Sequence, residues 1–381
     1  MVSRWSMWSL FGCVSALVAC GESGGRDSTC GVDGLELVRP WSPSAEGALL
    51  GPVAASETQV FVQAEGQILG ASMTDGAWSP VWTNPAAVPV PLTFWAQGER
   101  LLLWQGALGG FTRVPLDGGT PVPLPTLPFE IAGEPSIAFS GAFDSDGALY
   151  AFSEATRGAD ARPSTLYRID LDAGGITPLA ALTDSAPGRV ALRGDFVYFV
   201  TRPASASGAP PGPTVDTMHR VPKAGGPVEA LPLGVGEADA TALSVALFGP
   251  TGDRLWLVVS ATFAGDPVRS LETSGVYSWT GEGDATPARL GGSAGVIPST
   301  RLATVGDVGF LDVVSASQTA ADVQAVVEVL RLDPSGDVRV AACLPADRMR
   351  VLGLAASAAG LFAGLEDSER DAAAVVRWPV E

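Results

Sequence analysis

Along most of the chain, apolar and polar residues alternate in runs of a few residues, and each run ends in a cluster of Gly, Asp, Pro or Ser. A period of two sends one row of side chains to a core and the other toward solvent, as in a half-buried strand, and no stretch holds a convincing helical period. The runs recur as a unit. Ala148 to Phe152 is followed by Leu166 to Asp170 and Gly174-Gly175, and Val197 to Val200 by Met218 to Pro222 and Gly225-Gly226. Fainter copies carry Val60 to Val62 with Ile68 to Met73, Leu101 to Trp104 with Phe111 to Pro115, Leu255 to Val259 with Val276 to Trp279, and Phe310 to Val314 with Val329 to Asp333. Phe362 with Val375 to Val380 completes seven units.

Four short antiparallel strands repeated every 42 to 58 residues, roughly, is the spacing of propeller blades, each of which covers its neighbours' faces. The pattern therefore predicts an all-β chain folded as a seven-bladed β-propeller of four-stranded antiparallel blades. The last unit stops after its third strand, and Asp33 to Val38 resembles the turn and fourth strand of the other units. Pairing that segment with Val375 to Trp378 would close the ring and remove an open edge. Turns such as Gly98-Glu99, Ser145-Asp146-Gly147, Gly194-Asp195 and Thr251-Gly252-Asp253 are short. The connections between second and third strands are long, at Glu154 to Ser164, Arg202 to Asp216, Ala261 to Ser274 and Ser315 to Gln324. One face of the ring is thus expected to be plain and the other elaborated.

Val197 to Thr201 followed by Arg220-Val221-Pro222-Lys223-Ala224-Gly225-Gly226 resembles the YWTD and NHL group of propellers, a resemblance that implies a fold and not a function. The amino terminus carries a second resemblance. Arg4, an apolar run from Trp5 to Val18 and the sequence Leu17-Val18-Ala19-Cys20-Gly21 resemble the export signal and lipobox of bacterial lipoproteins. This implies a signal over residues 1–19, acylation of Cys20, a tether over 20–32 and a propeller over 33–381. It also implies placement in the cell envelope, with attachment through lipid alone, and Gly21 points to the outer membrane of a Gram-negative, high-GC bacterium. If the leader with its Arg4 is removed, the formal charge of −18 becomes −19. A surface so acidic disfavours nucleic acid, whose phosphates require clustered Lys and Arg.

Candidate chemistry is sparse. The single histidine, His219, rules out multi-histidine metal sites and reads as a structural residue within a strand. The pairs Asp144/Asp146 and Asp170/Asp172 have the spacing of turn carboxylates and lack the full oxygen set of a calcium loop. No metal and no cofactor is expected. Cys30 and Cys343 remain after Cys20 and the leader's Cys13; an oxidising compartment favours a disulfide between them, while idealised blade topology sets them apart. The long loops supply the residues expected to meet a partner: Arg157, Arg202, Asp216, Phe263, Arg269 and Glu272. The leading expectation is a non-catalytic, monomeric propeller that binds a protein or glycan of the envelope. A hydrolase or lyase with carboxylates or a metal converging in the channel, and a structural part of an envelope assembly, stay open beside it.

Overall fold

In the computed structural model, the described residues are 36–41, 50–64, 67–73, 77–83, 93–97, 99–105, 110–124, 141–144, 147–152, 164–182, 185–203, 214–235, 239–282, 285–290, 297–318, 323–345, 349–367 and 372–378. They form seven sheets arranged as blades, each with four antiparallel strands and one of them with a short parallel strand added at its inner edge. Blade 1 is built from Leu50–Ala55, Gln59–Ala64, Gln67–Ser72 and Trp78–Thr83, and blade 2 from Thr93–Gln97, Arg100–Gln105, Gly110–Pro115 and Val122–Pro123. Blade 3 comprises Gly141–Phe143, Ala148–Phe152, Ser164–Asp170 and Ile176–Leu182; blade 4 comprises Ser185–Arg193, Phe196–Pro203, Thr217–Pro222 and Glu229–Leu231. Blade 5 has Ala242–Thr251, Arg254–Thr262, Gly275–Trp279 and Thr286–Leu290, and blade 6 has Ile297–Val305, Val308–Gln318, Val323–Leu332 and Val338–Pro345.

Blade 7 takes three strands from the end of the chain, Met349–Ser357, Gly360–Asp367 and Ala372–Trp378, and its outer strand, Glu36–Trp41, from the beginning. Glu36 lies opposite Arg377 and Trp41 opposite Ala373, with a bulge between Leu37 and Arg39. The closing strand expected from the sequence is thus present, and it runs three residues past Val38, to Trp41. Gly360 marks the tight turn feeding this seam: its φ is +149°, and a Cβ there would lie 2.7 Å from the Trp378 carbonyl oxygen.

The second strands are the most deeply buried because both of their faces meet other blades. Phe61, Leu101, Leu149, Phe199, Trp256 and Leu311 are each fully buried on them. Phe199 packs edge-on against Phe152 of blade 3 at 5.0 Å. Tyr198, on the opposite face of the same strand, packs against Trp279 of blade 5 at 5.8 Å. Alternate side chains of one strand therefore join two neighbours, so the interblade core follows directly from the period-two pattern.

Two local expectations change. Ser315 to Gln324 does not form a long loop, because both strands continue and pair as far as Gln318 and Val323. The small and polar residues there, Ser315-Ala316-Ser317-Gln318, read as a loop by composition but still alternate. Residues 267–273 form a helix, α1 (Pro267–Thr273), too short to show a period: Asp266 caps it by accepting from the Arg269 amide at 2.9 Å, and Pro267 occupies the first turn.

A recurring polar contact joins the first turn of one blade to the last turn of the next. Arg100 of blade 2 binds Asp172 of blade 3 at 2.9 Å, supported by Arg113 at 3.0 Å. Asp144 of blade 3 binds Lys223 of blade 4 at 2.6 Å. Arg193, at the first turn of blade 4, lies against the last turn of blade 5, where a Cβ on Gly281 would fall 2.7 Å from its guanidinium, and it also donates to the Asp253 carbonyl in the first turn of that blade. Arg254 of blade 5 donates to the Pro334 carbonyl of blade 6 at 3.1 Å, and Ser357 of blade 7 reaches Met73 of blade 1 at 3.5 Å. The carboxylates at Asp144 and Asp172 are therefore partners in interblade latches as well as turn residues.

The two kinds of contact differ in strength. Phe199→Ala is expected to lower unfolding free energy by about 3 to 5 kcal/mol through the cavity it leaves. Asp172→Asn, half exposed, should cost less than about 1 kcal/mol. Denaturant titration of the two variants distinguishes them, and a larger loss for Asp172→Asn would show that the latches govern ring stability.

Candidate functional site: the elaborated face at blades 4 and 5

The described end of the connection between the second and third strands of blade 4 pairs with blade 5. Thr214–Val215 forms a short strand parallel to the innermost strand of blade 5, with Thr214 opposite Ala242 and Val215 opposite Leu243. Innermost strands border the central channel of a propeller, so this segment covers part of a channel-facing edge on the elaborated side. The amide of Thr214 donates to the Thr241 carbonyl at 3.2 Å, and that of Asp216 to the Leu243 carbonyl at 2.9 Å.

Asp216 secures the arrangement. Its side chain is 3% exposed and receives two hydrogen bonds from Arg202, Nε to Oδ1 at 2.9 Å and Nη2 to Oδ2 at 3.0 Å. Oδ2 also accepts from the Val245 amide at 2.8 Å, while Arg202 Nη2 donates to Ser244 Oγ at 2.7 Å. A carboxylate buried in this way requires such a set of donors to offset its lost hydration. The hydrogen bond to Asp216 raises the Arg202 pKa above its ordinary value, outweighing burial, which lowers it. Two residues expected to meet a partner are thus already engaged with each other, and Asp216 is covered.

Phe263 is also covered, at 5% exposure, and lies in the blade 4/5 core with Leu243 and Tyr277. It does not offer a stacking surface. Arg269 lies over its ring at 4.1 Å and reaches Asp239 at 3.1 Å. Helix α1 is held against blade 5 by serines: Ser270 Oγ accepts from the Phe263 amide at 2.9 Å, and Ser274 Oγ from the Ala261 amide at 3.0 Å. The helix exposes Val268, at 51%, and Glu272. Thus the structure brings Arg202 and Asp216 together, and sets Phe263, Arg269 and Glu272 on one platform. Arg157, Cys20 and Cys30 lie outside the described residues, whereas Cys343, in the outer strand of blade 6, is disulfide-bonded.

His219 lies apart from this platform. Its Nε2 is 3.0 Å from Thr201 Oγ1, its ring stacks on Phe199 at 5.4 Å, and Nδ1 is buried without a hydrogen-bond partner. A neutral ring with its proton on Nε2, donated to Thr201, avoids burying an N–H that lacks an acceptor. Desolvation lowers its pKa from the usual 6.5. Among the described residues no cluster of three or more His, Cys, Asp or Glu could hold a metal ion, and no helix among them is long and apolar enough to cross a membrane.

No family model matches the chain, and no curated relative matches it in sequence. Solved structures share its fold. The β-propeller domain of the Trilobed protease from Pyrococcus furiosus superposes with a TM-score of 0.53 at 11% identity, over 84% of this chain and 92% of that one. That domain is described as having an open velcro topology, whereas here strands from both ends close one blade. Uncomplexed acylaminoacyl peptidase from Pyrococcus horikoshii gives 0.55 at 12% identity, over 90% of this chain and 54% of that one. PorZ, a bacterial surface component of the type-IX secretion system of Porphyromonas gingivalis, gives 0.53 at 11%, over 91% of this chain and 39% of that one. The chain thus spans about half the length of the peptidase and two fifths of PorZ. At such identities the likeness is one of fold alone.

Two measurements probe this region. Asp216→Ala removes the acceptor of the Val245 amide and the partner of Arg202; hydrogen exchange at the Val245 and Asp216 amides should accelerate, with about 2 kcal/mol lost from global stability. Unchanged exchange would show that the inward strand does not depend on the ion pair. For His219 the folded pKa lies below the unfolded value, so the unfolded chain binds more protons as pH falls through 6.5. The stability held by the neutral ring is complete above that pH and is lost below it. His219→Gln should flatten the decline in denaturation midpoint between about pH 7 and 5; an unaltered slope would assign the decline to other groups.

Proposed function

We propose that the chain is an exported cell-envelope lipoprotein, anchored through an acylated Cys20, whose propeller binds a protein or glycan partner through the elaborated face. The observation that carries this reading is the platform at blades 4 and 5. Polar groups near the channel mouth, Arg202, Asp216, Ser244 and the Val245 amide, are consumed in fixing the chain's own inward strand. Among the described residues they leave no converging acid, base and nucleophile there, while α1 holds Val268 and Glu272 outward on a braced support. A rigid scaffold with outward-facing loop residues suits recognition better than bond cleavage. The fold shared with PorZ, a bacterial surface component, is in keeping with an envelope role.

The test is a proximity-crosslinking pull-down from the native envelope, comparing wild type, Cys20→Ser and the double variant Val268→Asp/Glu272→Arg. Wild type should incorporate acyl label and capture a specific partner; Cys20→Ser should lose the label and leave the membrane fraction. The double variant alters exposed residues and should keep its thermal midpoint while partner capture falls by tenfold or more, about 1.4 kcal/mol of binding free energy. Membrane retention of Cys20→Ser would overturn the anchor. Equal capture by the folded double variant would overturn the assignment to this platform and direct attention to the channel.

A further inference from the structure

His219 is built into the seam between blades 3 and 4. It lies opposite Phe199 in register and stacks on that ring, and Phe199 in turn packs edge-on against Phe152 of blade 3. Its Nε2 meets the buried Thr201 hydroxyl at 3.0 Å, and its Nδ1 is enclosed without a hydrogen-bond partner. One step along the same two strands, the side chains turn to the other neighbour. Thr201 is the last residue paired with Thr217, and the residues beyond that pair, Arg202 and Asp216, form the clamp that holds Thr214–Val215 beside Ala242 and Leu243. These strand ends are therefore seated on blade 3 through Phe199, Thr201 and His219, and on blade 5 through Arg202 and Asp216. We propose that His219 is an acid-sensitive catch: protonation of its ring loosens the blade 3/blade 4 seam on the elaborated side and releases Thr214–Val215 from the inner edge of blade 5.

A neutral ring fits the seam and a charged one does not. The added proton goes to Nδ1, which has no acceptor, and brings a charge that needs a partner. Among the described residues, the titratable and charged groups of blade 3 that face the seam are Arg168 and Tyr150, joined at 3.2 Å, with Asp170 and Asp144 at the plain-face end. Asp144 is held by Lys223, and Asp170 accepts from the Asp172 and Ala173 amides. The outer strand of blade 3, Ile176–Leu182, carries no ionisable side chain. Within blade 4, Arg220 and Glu229 bind each other on the opposite face of the sheet, while Arg189 and Arg193 reach Phe248 and Asp253 of blade 5. The carboxylates are thus committed elsewhere, and Arg168 adds a like charge to the facing surface.

The pH window follows from linkage. Opening the strand ends returns the ring to water and to its ordinary pKa of 6.5, whereas desolvation in the closed seam lowers it. The closed form therefore keeps its full advantage above that pH and loses it as pH falls below. One proton taken up on opening changes the opening equilibrium by at most about tenfold per pH unit. In acid the mouth of the channel then presents Arg202 and the carboxylate of Asp216, which is concealed at neutral pH. This behaviour belongs to the ring itself and depends neither on the lipid anchor nor on capture of a partner by α1.

The experiment is amide hydrogen exchange on the full chain between about pH 7.5 and 5.5, corrected for intrinsic exchange rates, with the imidazole of the single histidine followed by NMR over the same range. In the wild type, opening at the Asp216 and Val245 amides should rise by about threefold to tenfold at the lower pH while Leu311 of blade 6 keeps its protection. His219→Gln stays neutral and should hold all three constant. Absence of a rise in the wild type, an equal rise in His219→Gln, or an equal rise at Leu311, which marks unfolding of the whole ring, would each overturn the catch. If His219→Gln does not fold, the wild type decides: imidazole titration and amide opening should follow one curve, and a ring that gains its proton while Asp216 and Val245 stay protected overturns the proposal.

Discussion

A propeller is a sheet array bent into a ring, and in this one the ring is closed by a blade that takes strands from both ends of the chain. The joint is the antiparallel pairing of Glu36–Trp41 with Ala372–Trp378. It covers the outer edge of blade 7, whose other strands pack against blade 1 through Ala355, Phe362 and Val375 and share a second core with blade 6 through Leu361, Ala363 and Val376. Without that pairing the last blade has three strands and an open edge, and two interblade cores lose part of their backing. The apolar alternation that builds every blade takes effect as a closed ring through this one seam.

The two faces of the ring are held differently. On the plain face the first turn of one blade meets the last turn of the next through Arg100 and Asp172, Asp144 and Lys223, Arg254 and Pro334. These are short-range polar contacts between rigid turns. On the elaborated face the second-to-third connections are released from that duty. One adds a strand to blade 5, another folds into α1, and a third in blade 6 extends as paired strand. Fixing one face and freeing the other is how a repeat fold carries individual recognition on a common frame.

The architecture was legible because short apolar runs bounded by turn residues recur at blade spacing. Val197 to Val200 and Leu255 to Val259 announce second strands by composition alone, as continuous apolar runs buried on both faces. The platform was less legible. Arg202 and Asp216 were recognisable as residues of a long loop, but their mutual pairing depends on that loop turning into the next blade, a fact of three-dimensional space with no local signature. Phe263 looked available because its neighbours are small and polar, yet Arg269 and the blade 5 core enclose it. The latch carboxylates were read as isolated turn residues because each partner lies a blade away, as with Arg100 and Asp172. A signal did exist: arginine opens the second strand in both blade 2 and blade 5 and reaches the following blade in each.

The register of the seam has one more consequence. Glu36 faces Arg377, so the two ends of the folded body emerge side by side, one strand spacing apart, from the same end of the same blade. To the fold, the chain is a circle cut once, and the position of the cut is incidental. A short bridge from Trp378 to Glu36 and a new opening at an exposed turn such as Gly306-Asp307 would permute the order of the blades in sequence while leaving every strand beside the neighbour it has now.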